Sequence, residues 1–207
     1  MKKLLVCFSL FLLTNCSLFG SYTLSPDFPD SQSFFSSDNI KEKIVSKKIE
    51  DGLVVSLEWI GNAYPLETSK NLNGSISRFV IPYSRKTALI NLKIDNKTKK
   101  QVTFDTSNVI LKDLSEKKEL KPLNIDFFKS LWPSFAVKNQ EMLIDQSTAL
   151  GEVIRTIARD RIITEETEYS SYIPFFRLEK NTKDIEIHVK LKIENDYKDL
   201  LFKYTKK

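Results

Sequence analysis

The chain has 207 residues, 41% of them hydrophobic, enough for one sizeable core that needs no disulfide to hold it. Its 32 Lys+Arg against 27 Asp+Glu give a formal charge of only +5, without the concentrated basic stripe of a nucleic-acid reader, so no nucleic-acid partner is expected. Five glycines leave little for a phosphate cradle and one histidine leaves no histidine-based triad or multi-histidine metal site, so neither cofactor nor metal is expected.

Both cysteines, Cys7 and Cys16, fall within the first twenty residues. Met1-Lys2-Lys3 is a basic head, Leu4 to Leu13 is apolar except for Ser9, and Thr14-Asn15 is a small polar exit. That run is about half of the roughly 20 residues a membrane-spanning helix needs, so residues 1–15 are predicted to be a signal peptide that is removed. Leu13-Thr14-Asn15-Cys16 resembles the lipobox of bacterial lipoproteins. Leu13 and Thr14 fit the commonest pattern, whereas Asn15 stands where Gly, Ala or Ser is usual and matches the relaxed lipobox of spirochaete lipoproteins.

The resemblance implies cleavage before Cys16, a diacylglyceryl group on its thiol and an acylated amine. Each buried methylene contributes about 0.8 kcal/mol, and two or three acyl chains hold a protein where one does so only marginally. The expected location is the cell envelope, anchored through lipid to a membrane. Ser17, in place of Asp, permits delivery to the outer membrane, with the exposed face left open. Processing removes Lys2 and Lys3 and no acid, leaving a charge of +3.

Residues 16–42 read as the lipidated cysteine and a tether. Ser, Asp, Pro26 and Pro29 are mixed with Tyr22, Phe28, Phe34 and Phe35, and neither strand nor helix period persists. A flexible chain of about 25 residues spans about 25–30 Å, enough to clear the headgroups. The rings could instead pack on the domain or touch the membrane.

From residue 43 to 207 the pattern is that of one β domain. Leu53, Val55, Leu57 and Trp59 alternate with Val54, Ser56 and Glu58, and Ala88, Ile90, Leu92 and Ile94 repeat the device. Asn96 to Lys100 is predicted to be a polar turn leading to strands over 101–104 and 108–111 in a meander. Ile185, Ile187, Val189, Leu191 and Ile193 give the clearest strand, with His188 on its wet side among charges. Residues 169–178 are its expected partner, with Pro174 marking an edge or bulge, and 200–205 complete the sheet.

Residues 124–162 have a different texture and are predicted to be a helical insertion over the sandwich end. Asn124 is a candidate cap ahead of Phe127, Phe128, Leu131, Trp132 and Phe135, a run that Pro133 interrupts. These rings form either core or an apolar groove. Over 147–162, Leu150, Val153, Ile154, Ile157 and Ala158 make a stripe at helical spacing. Arg155, Arg159 and Arg161 lie near one another on that expected helix. They are the candidate binding surface for sulfated sugars, phosphates or an acidic partner, unless they pair with Glu152 and Asp160.

The segments ALINLKIDNKTKKQVTFD and SSYIPFFRLEKNTKDIEIHVKL together resemble the immunoglobulin-like sandwich domains of some bacterial lipoproteins. The resemblance implies a mainly β, antiparallel β-sandwich that binds, adheres or assembles. The expected function is therefore a non-enzymatic binding or adhesion module with a protein or glycan partner. The alternative is a periplasm-facing assembly subunit of an envelope complex. An envelope hydrolase is the least favoured class, because it needs a cleft of converging carboxylates. Glu165, Glu166 and Glu168 read instead as a solvated turn, and Asp95, Asp105 and Asp113 match no calcium loop.

Overall fold

The computed structural model describes residues 20–24, 40–70, 76–132, 140–179 and 181–206. The first half contributes β1 (Gly20–Leu24), β2 (Ile44–Glu50), β3 (Leu53–Asn62), β4 (Leu66–Lys70), β5 (Ile76–Val80) and β6 (Thr87–Asn96). After these come β7 (Val102–Asp113), β8 (Lys118–Leu120), α1 (Ile125–Leu131) and α2 (Gln140–Thr156). The chain ends with β9 (Arg161–Ile163), β10 (Thr167–Phe176), β11 (Asp184–Ile193) and β12 (Asp196–Thr205).

Period-2 alternation places every second side chain on one face of a strand. Leu53, Val55, Leu57 and Trp59 are accordingly buried with Ala88, Ile90, Leu92 and Ile94 on the inner face of a sheet ordered β10-β6-β3-β2. Their cluster is shared with Val102, Phe104, Val109 and Leu111 of β7 and the five alternate apolar residues of β11, in a second sheet, β12-β11-β7. Burying a large apolar side chain contributes about 1.5–3 kcal/mol, so this common core is the main source of stability. The Tyr204 hydroxyl crosses it to donate to the Leu57 carbonyl at 2.7 Å, and the Trp59 and Tyr204 rings lie 5.8 Å apart. The architecture is mainly β with antiparallel sheets, in the layered arrangement expected of a sandwich.

The strand partnerships differ from the predicted ones. Residues 101–104 and 108–111 belong to one strand, β7, because residues 105–108 are absorbed as an irregularity opposite Lys190 of β11. There is no meander: β6 and β7 lie in different sheets, and residues 97–100 carry the chain across the core. Buried Asn96 holds that crossing, donating to the carbonyls of Lys100 (2.8 Å) and Thr164 (3.0 Å) while accepting from the Thr98 amide and hydroxyl. Residues 169–178 do not partner β11 either; β10 pairs with β6 and forms an edge, where Pro174 sacrifices no ladder bond. The partners of β11 are β7 and β12, and β12 begins at Asp196 after a tight turn with Glu194 at φ 53.

The domain also takes in residues ahead of 43. Ile40 is buried and bridges Lys206, and Gly20–Leu24, inside the expected tether, pair in parallel with β5 in a small sheet ordered β1-β5-β4. The signal segment, the Leu13–Cys16 motif, Ser17, Pro26, Pro29, Phe28, Phe34 and Phe35 lie outside the described residues.

Asn124 caps α1 as expected, accepting from the Phe127 amide at 3.0 Å. Phe128 and Trp132 are core, and the Trp132 indole donates to the Pro82 carbonyl at 3.0 Å. Pro133 and Phe135 fall outside the described residues. Helix α2 ends at Thr156 instead of continuing to 162, because Ile157 bridges Tyr172 and the Ala158 amide donates to the Tyr172 carbonyl at 2.7 Å. Its other end is pinned to β5 by a 3.1 Å pair between Arg78 and buried Asp145.

Candidate functional site

Strand β7 is twelve residues long, yet its edge away from β11 is covered only at its two ends. There β8 pairs with residues 111–113 and β9 with residues 102–104. Among the described residues no strand covers 105–110 on that edge. Continuing the β8 register would set Pro122 opposite Val109, and proline has no N–H for the ladder, so the chain leaves the sheet. At the other end, the Asp160 carboxylate takes the Thr106 amide (2.8 Å) and hydroxyl (2.7 Å). These hydrogen bonds hold the Asp160 carboxyl below its ordinary value.

The gap opens into a cleft of about 550 Å³. Leu123, Ile125, Ile154, Ile157, Ile173 and Pro174 supply apolar lining from three elements of the fold. Ile154 is 42% exposed, although helical spacing assigned it to the buried stripe. The cations on the lining are Lys121, Lys129 and Arg159, against the single carboxylate of Asp160. Lys129 also reaches Asp126, at 3.4 Å. An apolar cavity with a few converging charged groups is the usual form of a recognition site, with affinity from the floor and orientation from the rim.

Of the sequence-predicted arginines, only Arg159 lines this cleft. Its guanidinium donates to the Ile154 carbonyl at 2.6 Å, beyond the end of α2. Arg155 remains on the helix and grips Glu152 at 2.7 and 2.9 Å, the pairing weighed as its alternative. Arg161 sits exposed in β9, paired in register with Phe104. The three therefore do not share a helical face. Cys16 lies outside the described residues.

Glu152 also accepts from the Tyr64 hydroxyl at 3.0 Å, while the Tyr83 hydroxyl meets Thr156 at 2.7 Å. Burial, and for Tyr64 next the Glu152 carboxylate, pushes both phenols well above their ordinary value, so they are neutral hydrogen-bonding groups. With Tyr172 they pack as three rings 5.5–6.4 Å apart, fastening α2 to the first sheet.

Phe127 is half-buried against Phe128 and Phe176, so the aromatic segment forms core and its margin. His188 is half-buried, 3.8 Å from Glu186 and 3.9 Å from Asp199. Glu165, Glu166 and Glu168 are exposed, and Glu168 pairs with Lys93 at 3.0 Å, so these acids do not converge. Among the described residues no group of three His, Cys, Asp or Glu side chains could hold a metal ion. Sequence reasoning missed Lys121, Lys129 and Thr106. The available signal was Pro122, two residues after a short strand, where it blocks the ladder position opposite Val109.

No family model matches the chain, and no curated protein matches it. Among solved structures, it is similar to the yjhA protein from Bacillus subtilis over 65% of this chain and 71% of that one, with 6% identity and a TM-score of 0.32. It is also similar to a functionally unknown protein from Listeria monocytogenes EGD-e over 88% of this chain and 97% of that one, with 14% identity and a TM-score of 0.34.

Proposed function

We propose that the chain is a lipid-anchored protein of the bacterial cell envelope, at the outer membrane, whose β domain is a binding or adhesion module. The anchor reading rests on the basic head, the short apolar run and Leu13-Thr14-Asn15-Cys16. The binding reading is carried by one observation: an apolar cleft whose lining presents Lys121, Lys129 and Arg159 against one carboxylate that is already engaged. Such a site suits an anionic ligand with apolar parts. A second reading, a periplasm-facing assembly subunit, is favoured by Leu143 and Ile144, which are 55% and 53% exposed on α2.

Mass analysis of the protein from its own cells tests the anchor. The expected product begins at a diacylglyceryl-modified Cys16; a bare thiol there, or residues 1–15 still attached, overturns the anchor. Protease treatment of intact cells separates the two display modes. A surface adhesin is shaved, and a periplasm-facing subunit is protected and co-purifies with a membrane complex. The cleft is tested by Lys121→Glu with Arg159→Glu, which should weaken capture of the cognate surface at least tenfold; unchanged capture removes the cleft from the function.

A further inference from the structure

We propose that the outward face of α2, centred on Leu143 and Ile144, is a second membrane contact, seated in the same bilayer that holds the lipid on Cys16. The inference rests on the anchor reading and adds how the domain lies against that bilayer. Its first support is the character of the face. Leu143 and Ile144 are 55% and 53% exposed. Ile154, 42% exposed, lies almost on one line with Leu143 along the helix, about 16 Å away at 1.5 Å per residue. Ser147, Thr148 and Gly151 complete the exposed surface between them. From Met142 to Gly151 the only charged residue is Asp145, which is buried and paired with Arg78 of β5. Charged residues make up 29% of the chain, so a solvated helix surface of this length ordinarily carries several. The inward face, with Ala149 and Val153, is already used by the core, so α2 is apolar on two sides.

The second support is the length of chain between the lipid and this helix. Strand β1 begins at Gly20, four residues after Cys16, and a chain extends at most about 3.6 Å per residue, so Gly20 lies within about 14 Å of the lipidated residue. Tyr22 of β1 is in register with Arg78 of β5, and Arg78 holds Asp145, the residue after Ile144. Lipid, β1, β5 and α2 are thus joined in that order by covalent chain, a strand ladder and an ion pair. The long tether expected from the sequence is cut to four residues before the first paired strand. Anchoring then presents the bilayer to Leu143 and Ile144 at high effective concentration, so a contact too weak to hold a free protein is populated.

An interfacial helix lies in the plane of the headgroups with its apolar side chains about 5–10 Å deep. Residues 142–151 contain no cation, so the seating draws on apolar burial and not on attraction to anionic lipid. Two attachments, one at Cys16 and one on α2, fix the tilt of a domain that a single leash would leave free to swing.

The test uses the lipidated protein from its own cells, reconstituted in phosphatidylcholine vesicles whose acyl chains carry bromine. Processing removes Cys7 and the Cys16 thiol is occupied, so Ser147→Cys supplies the one free thiol for a bimane label, and Asp196→Cys at the exposed start of β12 is the reference. Bimane at 147 is expected to be quenched by the brominated chains, and bimane at 196 is not. Leu143→Ser with Ile144→Ser, at exposed positions that the core does not use, should abolish the quenching at 147 while the protein still floats with the vesicles. Quenching that survives this double variant overturns the seating. Vesicles containing phosphatidylglycerol should give the same signal; quenching that appears only with that anionic lipid overturns apolar seating. Flotation with equal quenching at 147 and 196 overturns the α2 contact and leaves the anchor standing. No quenching at 147, together with loss of a co-purified envelope protein in the double variant, assigns the face to a protein partner and also overturns the membrane contact. A protein that does not float with the vesicles overturns the anchor and the contact together.

Discussion

Replacing Asp145 with alanine removes an ion-pair partner of Arg78 from a site where the aspartate is only 1% exposed. Deleting one member of a fully buried ion pair costs about 3–5 kcal/mol, chiefly because the other charge stays desolvated. The Arg78 side chain retains 15% exposure, so water can enter on one side and the expected loss falls to about 2–4 kcal/mol. For a domain of this size, about 3 kcal/mol lowers Tm by roughly 6–12 °C. Thermal and urea unfolding followed by circular dichroism read the change. The pair joins α2 to β5, so hydrogen exchange should rise over 140–156 more than in β3 or β11. The double variant Arg78→Met with Asp145→Leu should recover most of the loss, since an apolar pair of similar volume carries no desolvation penalty. A single-variant loss below about 1 kcal/mol, or a double variant no better than the single, refutes the assignment of a buried charge pair.

Three further perturbations probe the frame around the cleft. Asn96→Ala leaves the carbonyls of Lys100 and Thr164 without their donor and should cost about 1–3 kcal/mol in urea unfolding, with no change in m-value. Tyr204→Phe removes the bond to the Leu57 carbonyl between the sheets and should cost about 0.5–1.5 kcal/mol, read by the same titration. Asp160 has a lowered folded-state value, so its bonds to Thr106 stabilise the protein above about pH 4 and are lost as pH falls through that lowered value. The stability difference between the wild type and Asp160→Ala should therefore shrink between about pH 5 and pH 2; a difference constant across that range contradicts the role given to the carboxylate.

The strands with one wet and one dry face were legible, because a two-residue period states directly which side chains are buried. That period is silent about which strand lies alongside. β6 and both halves of β7, on either side of the irregularity at 105–108, face apolar side chains inward, but they do so from opposite sheets, and β10 likewise turns from β11 to β6. The end of α2 was hidden for a related reason. Ile157 is buried, as a continuing helix would have it, yet its backbone is already paired with Tyr172. Arg159 was legible as a candidate, but its company was not. Lys121 and Lys129 meet it only because the chain crosses from β8 to α1 on the same side where α2 ends.

The openness of the cleft follows from two residues that stop a sheet from closing. Pro122 deprives the chain after β8 of the next ladder donor, and Asp160 supplies a carboxylate where a strand carbonyl would stand. Between them the polar run Asp105 to Asn108 satisfies its own backbone in part, with the Ser107 amide bonded to Asp105 at 2.8 Å. Each of these choices weakens the wall locally while the shared apolar core beneath it, from Val102 and Phe104 to Val109 and Leu111, remains fully buried. A break in pairing that leaves the core intact alters the surface without endangering the fold. The cleft therefore lies over a break in pairing that the core beneath it supports, and it offers an apolar lining with a cationic rim.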